Sequence, residues 1–229
     1  MKLAIMQPYI FPYIGYFQLI NAVDKFVIYD DVNYIKGGWV NRNNLLLNNQ
    51  KHLFTITLNQ PSPFKLINEI TIKDDFSKLL KTIYHSYLKA PYYEQVNYLL
   101  NTIISFKERN LGDFIANSIK EIALYMEINT EIIISSQLKK NNALKNKEKV
   151  LHICELLNAS QYINAIGGQE LYCKDEFARH NIGLNFIKSN NIKYEQFNNE
   201  FVPWLSIIDV MMFNNKEEVA KMLNSYELI

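Results

Sequence analysis

Cysteine is scarce: Cys154 and Cys173 are the only two in 229 residues, and they form neither a CxxC nor a CxxH pattern. A disulfide framework and a cysteine-based zinc site are thereby excluded. Glycine is also short, with seven in the chain, and none of them builds a GxGxxG, a GxxxxGKS/T or a GxSxG. Those gaps remove the classical dinucleotide fingerprint, the P-loop and the nucleophile elbow. Net charge is nearly absent, since 24 basic side chains face 23 acidic ones. So weak a field does not concentrate polyanions, and no nucleic-acid partner is expected. His52, His85, His152 and His180 show no HxH, HxxxH or HExxH spacing, so no metal is expected. No run approaches the roughly 20 apolar residues of a membrane span. The first residues run into Gln7 and Pro8 instead of the apolar stretch of a secretory signal, and a cytoplasmic protein is the expectation.

What is present is an ordinary globular composition, 48% hydrophobic and 13% aromatic. Lys outnumbers Arg 21 to 3. In such a chain an Arg marks a place where a bidentate guanidinium does what an ammonium cannot. Arg42 is the one that sits in a dense polar cluster.

Short apolar runs alternate with helical periodicity. Strands are expected at Lys2 to Met6, Lys25 to Tyr29, His52 to Leu58, Ile70 to Ile72, Glu131 to Ile134, Gln161 to Asn164, Gly183 to Ile187 and Lys193 to Phe197. Helices are expected at Phe17 to Val23, from Asp75 to Leu88, at Tyr93 to Lys107, Leu111 to Met126, Val150 to Leu157, Gln169 to His180, Ser206 to Phe213 and Glu217 to Leu223. The interleaving predicts an α/β fold with a mainly parallel, Rossmann-like sheet. Residues 1–72 and 131–229 form its core, and 73–130 a helical subdomain or part of one compact domain. The Lys-rich stretch Lys139 to Lys149 reads as a solvated loop and first helical turn, with a loop closing over a charged substrate as the alternative.

Three clusters carry more polar and aromatic side chains than folding requires. The first follows the first strand and holds Gln7, Tyr13, Gly15 and Tyr16, at the carboxyl edge where open parallel sheets bind ligands. Its tyrosines either line a pocket or pack as core and rim aromatics. The second follows the second strand: Asp30, Asp31, Lys36, Trp39, Asn41, Arg42 and Asn43. Here Arg42 either clamps a phosphate or carboxylate or pairs with one of the two acids. The third is Asn164, Gly167, Gly168 and Tyr172, with Gln196 and, later, Ser206 and Asp209. The Gly pair either opens a helix or lets backbone amides approach an oxyanion, and Ser206 with Asp209 either forms an SxxD cap or presents a ligand-facing acid.

With these residues quoted, the chain resembles the WbqC-like proteins of bacterial surface-polysaccharide gene clusters. The likeness lies in MQPYIFPYIGYFQLI, YDDVNYIKGGWVNRN, YLKAPYY, YINAIGGQELY and FVPWLSIIDVMMFN, in that order. The resemblance implies a cytoplasmic role in O-antigen or lipopolysaccharide biosynthesis beside aminotransferases that make nucleotide-linked amino sugars. It carries over as candidates the residues of the three clusters, together with Pro8, Pro12, Tyr87 and Pro91. A second likeness is to the nucleotidyltransferase layout, with Tyr13 and Tyr16 standing at the two His positions of PxHxGH.

An amine made by an aminotransferase invites acylation, so the expected function is an amide-forming N-acyl- or aminoacyltransferase on a nucleotide-linked amino sugar. The alternative is a non-catalytic sugar-nucleotide-binding or scaffolding protein. In the transferase reading Asp31 is the base, and the amides of Gly167 and Gly168 with Lys36 are oxyanion donors. Arg42 is the clamp, while Tyr16, Trp39 and Tyr172 hold sugar and base. The donor is an activated acyl group carried as acyl-CoA, on an acyl carrier or as an acyl-adenylate. Homo-oligomer formation is left open.

Overall fold

The structure is a computed structural model describing residues 1–229. Its centre is a six-stranded sheet built from β1 (Lys2–Met6), β2 (Lys25–Ile28), β7 (Glu131–Ile134), β8 (Gln161–Ala165), β9 (Gly183–Ser189) and β10 (Tyr226–Leu228). Across the sheet the order is β7-β2-β1-β8-β9-β10, and every pair is parallel except β9 with β10. That is the Rossmann-like order, and the sequence in which strands are added reverses at a switch point between β1 and β8.

Side-chain alternation assigns each strand residue to a face. Leu3, Ile5, Val27, Tyr162, Leu184 and Phe186 point to a small core with Val150, Ile153 and Cys154 of α5 (Asn146–Leu156) and Phe177 of α6 (Lys174–Arg179). Their neighbours Ala4, Phe26, Ile28, Ile163 and Ile187 point the other way, into a larger core. That core also takes in α1 (Ile14–Asn21), α2 (Ser77–Tyr87), α3 (Tyr93–Ile104), α4 (Leu111–Tyr125), α7 (Ile207–Phe213) and α8 (Lys216–Leu223). Strands covered on both faces must be apolar throughout, which is why they read as continuous runs. The 73–130 helices share this one apolar cluster with the sheet.

Two small antiparallel pairs flank the sheet: β3 (Arg42–Leu47) with β4 (Gln50–Thr55), and β5 (Leu58–Asn59) with β6 (Thr71–Ile72). Several expectations are corrected. Arg42 and Asn43, read as loop, are the start of β3, where the Asn43 amide turns inward and donates to the carbonyls of Ile10 and Phe11. Lys193 to Phe197 is not a strand, since Gln196 is drawn into a buried hydrogen-bond network and Phe197 has φ +51°. The helix expected from Gln169 is confined to α6, preceded by a 3-10 turn over Ile166–Gly168. The closing strand β10 was not expected.

Candidate functional site

The carboxyl ends of β1, β2, β7, β8 and β9 lie along one edge of the sheet, the edge at which open parallel sheets bind ligands. Each end carries part of the expected site: Gln7 after β1, Asp30 and Asp31 after β2, Asn164 to Gly168 at β8.

Asp31 is the centre of the edge. Lys140 and Lys149 both reach its Oδ2, at 2.8 and 2.9 Å. All three side chains are nearly closed off, at 10% exposure for Asp31, 1% for Lys140 and 9% for Lys149. Lys149 also donates to the Asp31 carbonyl at 2.9 Å and lies 5.1 Å over the ring of Tyr29, and Lys140 donates to the Ser135 carbonyl. Burial would raise the Asp31 carboxyl, but the two ammonium groups outweigh it and hold it below its ordinary range. Tyr29 is pushed the other way by burial, by the Asp31 charge and by Tyr172. Two cations against one anion leave this pocket of side chains with an excess positive charge. Two buried polar atoms, Asp31 Oδ1 and Ser135 Oγ, have no hydrogen-bond partner. Of the two, only the Ser135 hydroxyl can donate to an anion; Asp31 Oδ1 is a carboxylate acceptor, so any attraction for an anion comes from the two ammonium groups.

Asp30 has a different task. It is buried, and its carboxylate accepts from the Ser136 amide at 2.9 Å, the Ser136 hydroxyl at 2.5 Å and Asn68 at 3.3 Å. It ties the ends of β2 and β7 together. Asn164 is buried, accepts from the Ala165 amide at 2.8 Å and packs on Gly168. A methyl group on Gly168 would come within 2.3 Å of the Asn164 amide nitrogen, so any larger residue there would displace the Asn164 side chain. Gly167 faces open space. Tyr172 packs edge-on against Tyr162 and Phe177.

Other expected residues lie outside the Asp31 cluster. Lys36 is exposed and takes no part in the Asp31 ion pairs. Arg42 braces its own loop by donating to the Gly37 carbonyl, with its guanidinium 5.5 Å over the ring of Trp39. Asn41 is buried between Tyr34 and the Ile56 carbonyl, at 2.8 and 2.7 Å. Tyr16 is buried among Tyr9, Phe17 and Phe26 with its hydroxyl unpartnered, so Tyr13 and Tyr16 do not form a paired clamp. Only Tyr13 reaches a cleft, where its ring meets Trp204 at 5.3 Å. Gly15 lets α1 start beside that ring, because a methyl there would sit 3.2 Å from it.

Asp209 is fully buried on the first turn of α7. It accepts from Tyr87 at 2.8 Å, Tyr194 at 2.7 Å and Gln196 at 2.6 Å. Gln196 in turn holds Val202, accepting from its amide at 2.7 Å. The capping-box reading is corrected, because the Asp209 carboxylate goes to this network and Ser206 alone caps α7. The Ser206 hydroxyl accepts from the Ile208 amide at 3.2 Å and donates to the Phe11 carbonyl at 2.8 Å. Ser206→Ala leaves the helix amide without its cap and takes one of two donors from the Phe11 carbonyl, which keeps Asn43, and is expected to cost about 1–2 kcal/mol. Urea denaturation measures it, and an unchanged midpoint refutes the role.

Sequence reasoning missed Tyr29, Lys140 and Lys149 because nothing in a Lys-rich run says which ammonium groups turn inward. It also missed Tyr194 and Ser189, which line the Tyr13 cleft. No helix is long and apolar enough to cross a membrane.

Among curated proteins, the uncharacterized protein Rv1507c of Mycobacterium tuberculosis is 25% identical over 218 residues, covering 93% of each chain. No solved structure matches. The model of the WbqC-like protein family matches residues 7–221, spanning the carboxyl-edge segments and α7 alike, and the chain belongs to that family.

Proposed function

We propose that the chain is an amide-forming N-acyl- or aminoacyltransferase acting on a nucleotide-linked amino sugar in bacterial surface-glycan biosynthesis. The observation that carries the reading is the buried Lys140 and Lys149 pair sharing one carboxylate at the carboxyl edge of a Rossmann-like sheet. An ammonium pair with a single counter-ion is matched to a ligand phosphate. In this reading the lysines clamp the nucleotide phosphates, and Asp31 becomes their counter-ion instead of the base. The Gly167 backbone, beside the same edge, is open to the reacting carbonyl. The acyl donor is an activated one, an acyl-CoA, a carrier-bound acyl group or an acyl-adenylate.

A second reading, a non-catalytic carrier of the same sugar nucleotide, draws support from the carboxylates. Asp30, Asp31 and Asp209 are all engaged, which leaves none of them free as a general base. Both readings need the same phosphate site. Uridine diphosphate is expected to raise the melting temperature of the wild type, and the Lys140→Met, Lys149→Met double variant is expected to lose that response. Mass spectrometry of protein, acyl donor and nucleotide amino sugar then separates the two, because the transferase yields an amide product and the carrier does not. No nucleotide response in the wild type rejects both.

A further inference from the structure

Trp204 is held in a conformation that its own chemistry disfavours. Its backbone has φ +61°, the left-handed region in which a bulky residue is strained, and its side chain is 64% exposed. Neither feature stabilises the fold, and strain kept on an exposed aromatic points to use. The indole lies against Tyr13 at 5.3 Å with the rings tilted by 42°. Together they make one wall of a cleft of about 510 Å³ at the carboxyl end of β9. The opposite wall is Tyr194 edge-on to Phe201 at 5.0 Å, and Tyr194 is fixed from behind by its 2.7 Å bond to the buried Asp209. Ser189 and Asn190, at the end of β9, supply hydroxyl and amide groups along the rim.

We infer that this cleft is a pyranose-binding subsite, with the sugar ring stacked on Trp204 and Tyr13 and its hydroxyls bonded to Ser189 and Asn190. An exposed aromatic platform matches the C–H face of a hexose, and neutral amides and hydroxyls match its rim of hydroxyls. The volume is that of a small-ligand site. Tyr13 and Trp204 touch each other at an angle, so no parallel slot exists to sandwich a flat nucleobase. No carboxylate lines the cleft, and its single cation, Lys188, is exposed at the rim. The inference rests on the amino-sugar reading above for the kind of sugar, and places it on the same sheet edge as the lysine pair.

The probes are the methyl glycosides of glucosamine and galactosamine, free and N-acetylated, which carry no phosphate and so bypass Lys140 and Lys149. The chain has two tryptophans, and Trp204→Phe assigns their indole N–H signals in an NMR spectrum. Titration with a glycoside is expected to shift the Trp204 signal saturably and leave Trp39 still. Affinity is expected to fall at least tenfold in Trp204→Ala and in Tyr13→Ala, and severalfold in Asn190→Ala, which alters only the rim. A Trp204 signal that no glycoside moves, equal affinity in Trp204→Ala, or a shift by free uridine as large as that by the sugars overturns the inference. If the glycosides bind while uridine diphosphate does not, the subsite stands and the nucleotide reading falls; the reverse result removes the subsite alone.

Discussion

Asp31→Asn is expected to destabilise the folded protein by about 3 kcal/mol, whereas Lys140→Met is expected to cost no more than about 1 kcal/mol. The asymmetry follows from counting charges. Both ammonium groups contact the same oxygen, at 2.8 and 2.9 Å, and both are nearly closed off from water. Removing one lysine leaves a balanced pair. Removing the carboxylate deletes both attractions and leaves two buried cations roughly 5 Å apart, whose repulsion of about 3 kcal/mol at an effective dielectric of about 20 is then no longer offset. The carbonyls of Asp31 and Ser135, to which Lys149 and Lys140 also donate, keep the loss from reaching the larger penalties of wholly unpaired buried charges. Denaturant titrations of the two variants at pH 7 provide the comparison. Equal losses would refute the claim that the cluster carries excess positive charge. Inorganic phosphate adds a second arm: it is expected to restore more stability to Asp31→Asn than to the wild type, because the variant lacks the anion that the site was built around.

The parts of the fold legible in the sequence are those governed by two-sided burial. LAI, FVI, III and YIN read as strands because a parallel sheet covered on both faces tolerates no polar interruption. Polar residues with structural tasks were the source of error. Asn41, Asn43 and Gln196 resemble ligand-binding side chains, yet each turns inward to satisfy backbone groups that the loops around β1 and α7 would otherwise bury unpaired. At the site, the carboxyl edge and Asp31 were legible from strand order. The partners of Asp31 were not, because they lie more than a hundred residues away among the five lysines between 139 and 149. That stretch is the solvated loop and first helical turn that its composition suggests, with two of its lysines folded in. Trp204 was visible only as part of a motif, because φ and exposure are properties of the folded loop.

Protein stability is expected to fall by about 2 kcal/mol as pH rises from about 4 to about 7 through the titration of Asp209 alone. Burial raises its carboxyl from 3.8 to about 6, against the opposing pull of hydrogen bonds from Tyr194, Tyr87 and Gln196. A folded-state value above the unfolded one means that the native state holds the proton more tightly. The stabilisation is therefore complete below about 3.8 and disappears as pH passes through about 6. Asp31 titrates in the opposite sense, with a carboxyl held below its ordinary range, so its contribution is lost only on acidification below that range. The two windows do not overlap, and Asp209→Asn separates them further. An amide is uncharged at every pH, so the difference in unfolding free energy between wild type and Asp209→Asn should move by about 2 kcal/mol between pH 4 and pH 7, in favour of the variant at the higher pH. Urea titrations at half-unit pH intervals test it, and a difference that stays level across that range rules out the raised value. Because Tyr194 bridges this carboxylate to the cleft beside Trp204, charge at Asp209 also bears on the wall of the proposed sugar subsite. Glycoside affinity in the wild type is therefore expected to change across the same pH interval and in Asp209→Asn to remain level.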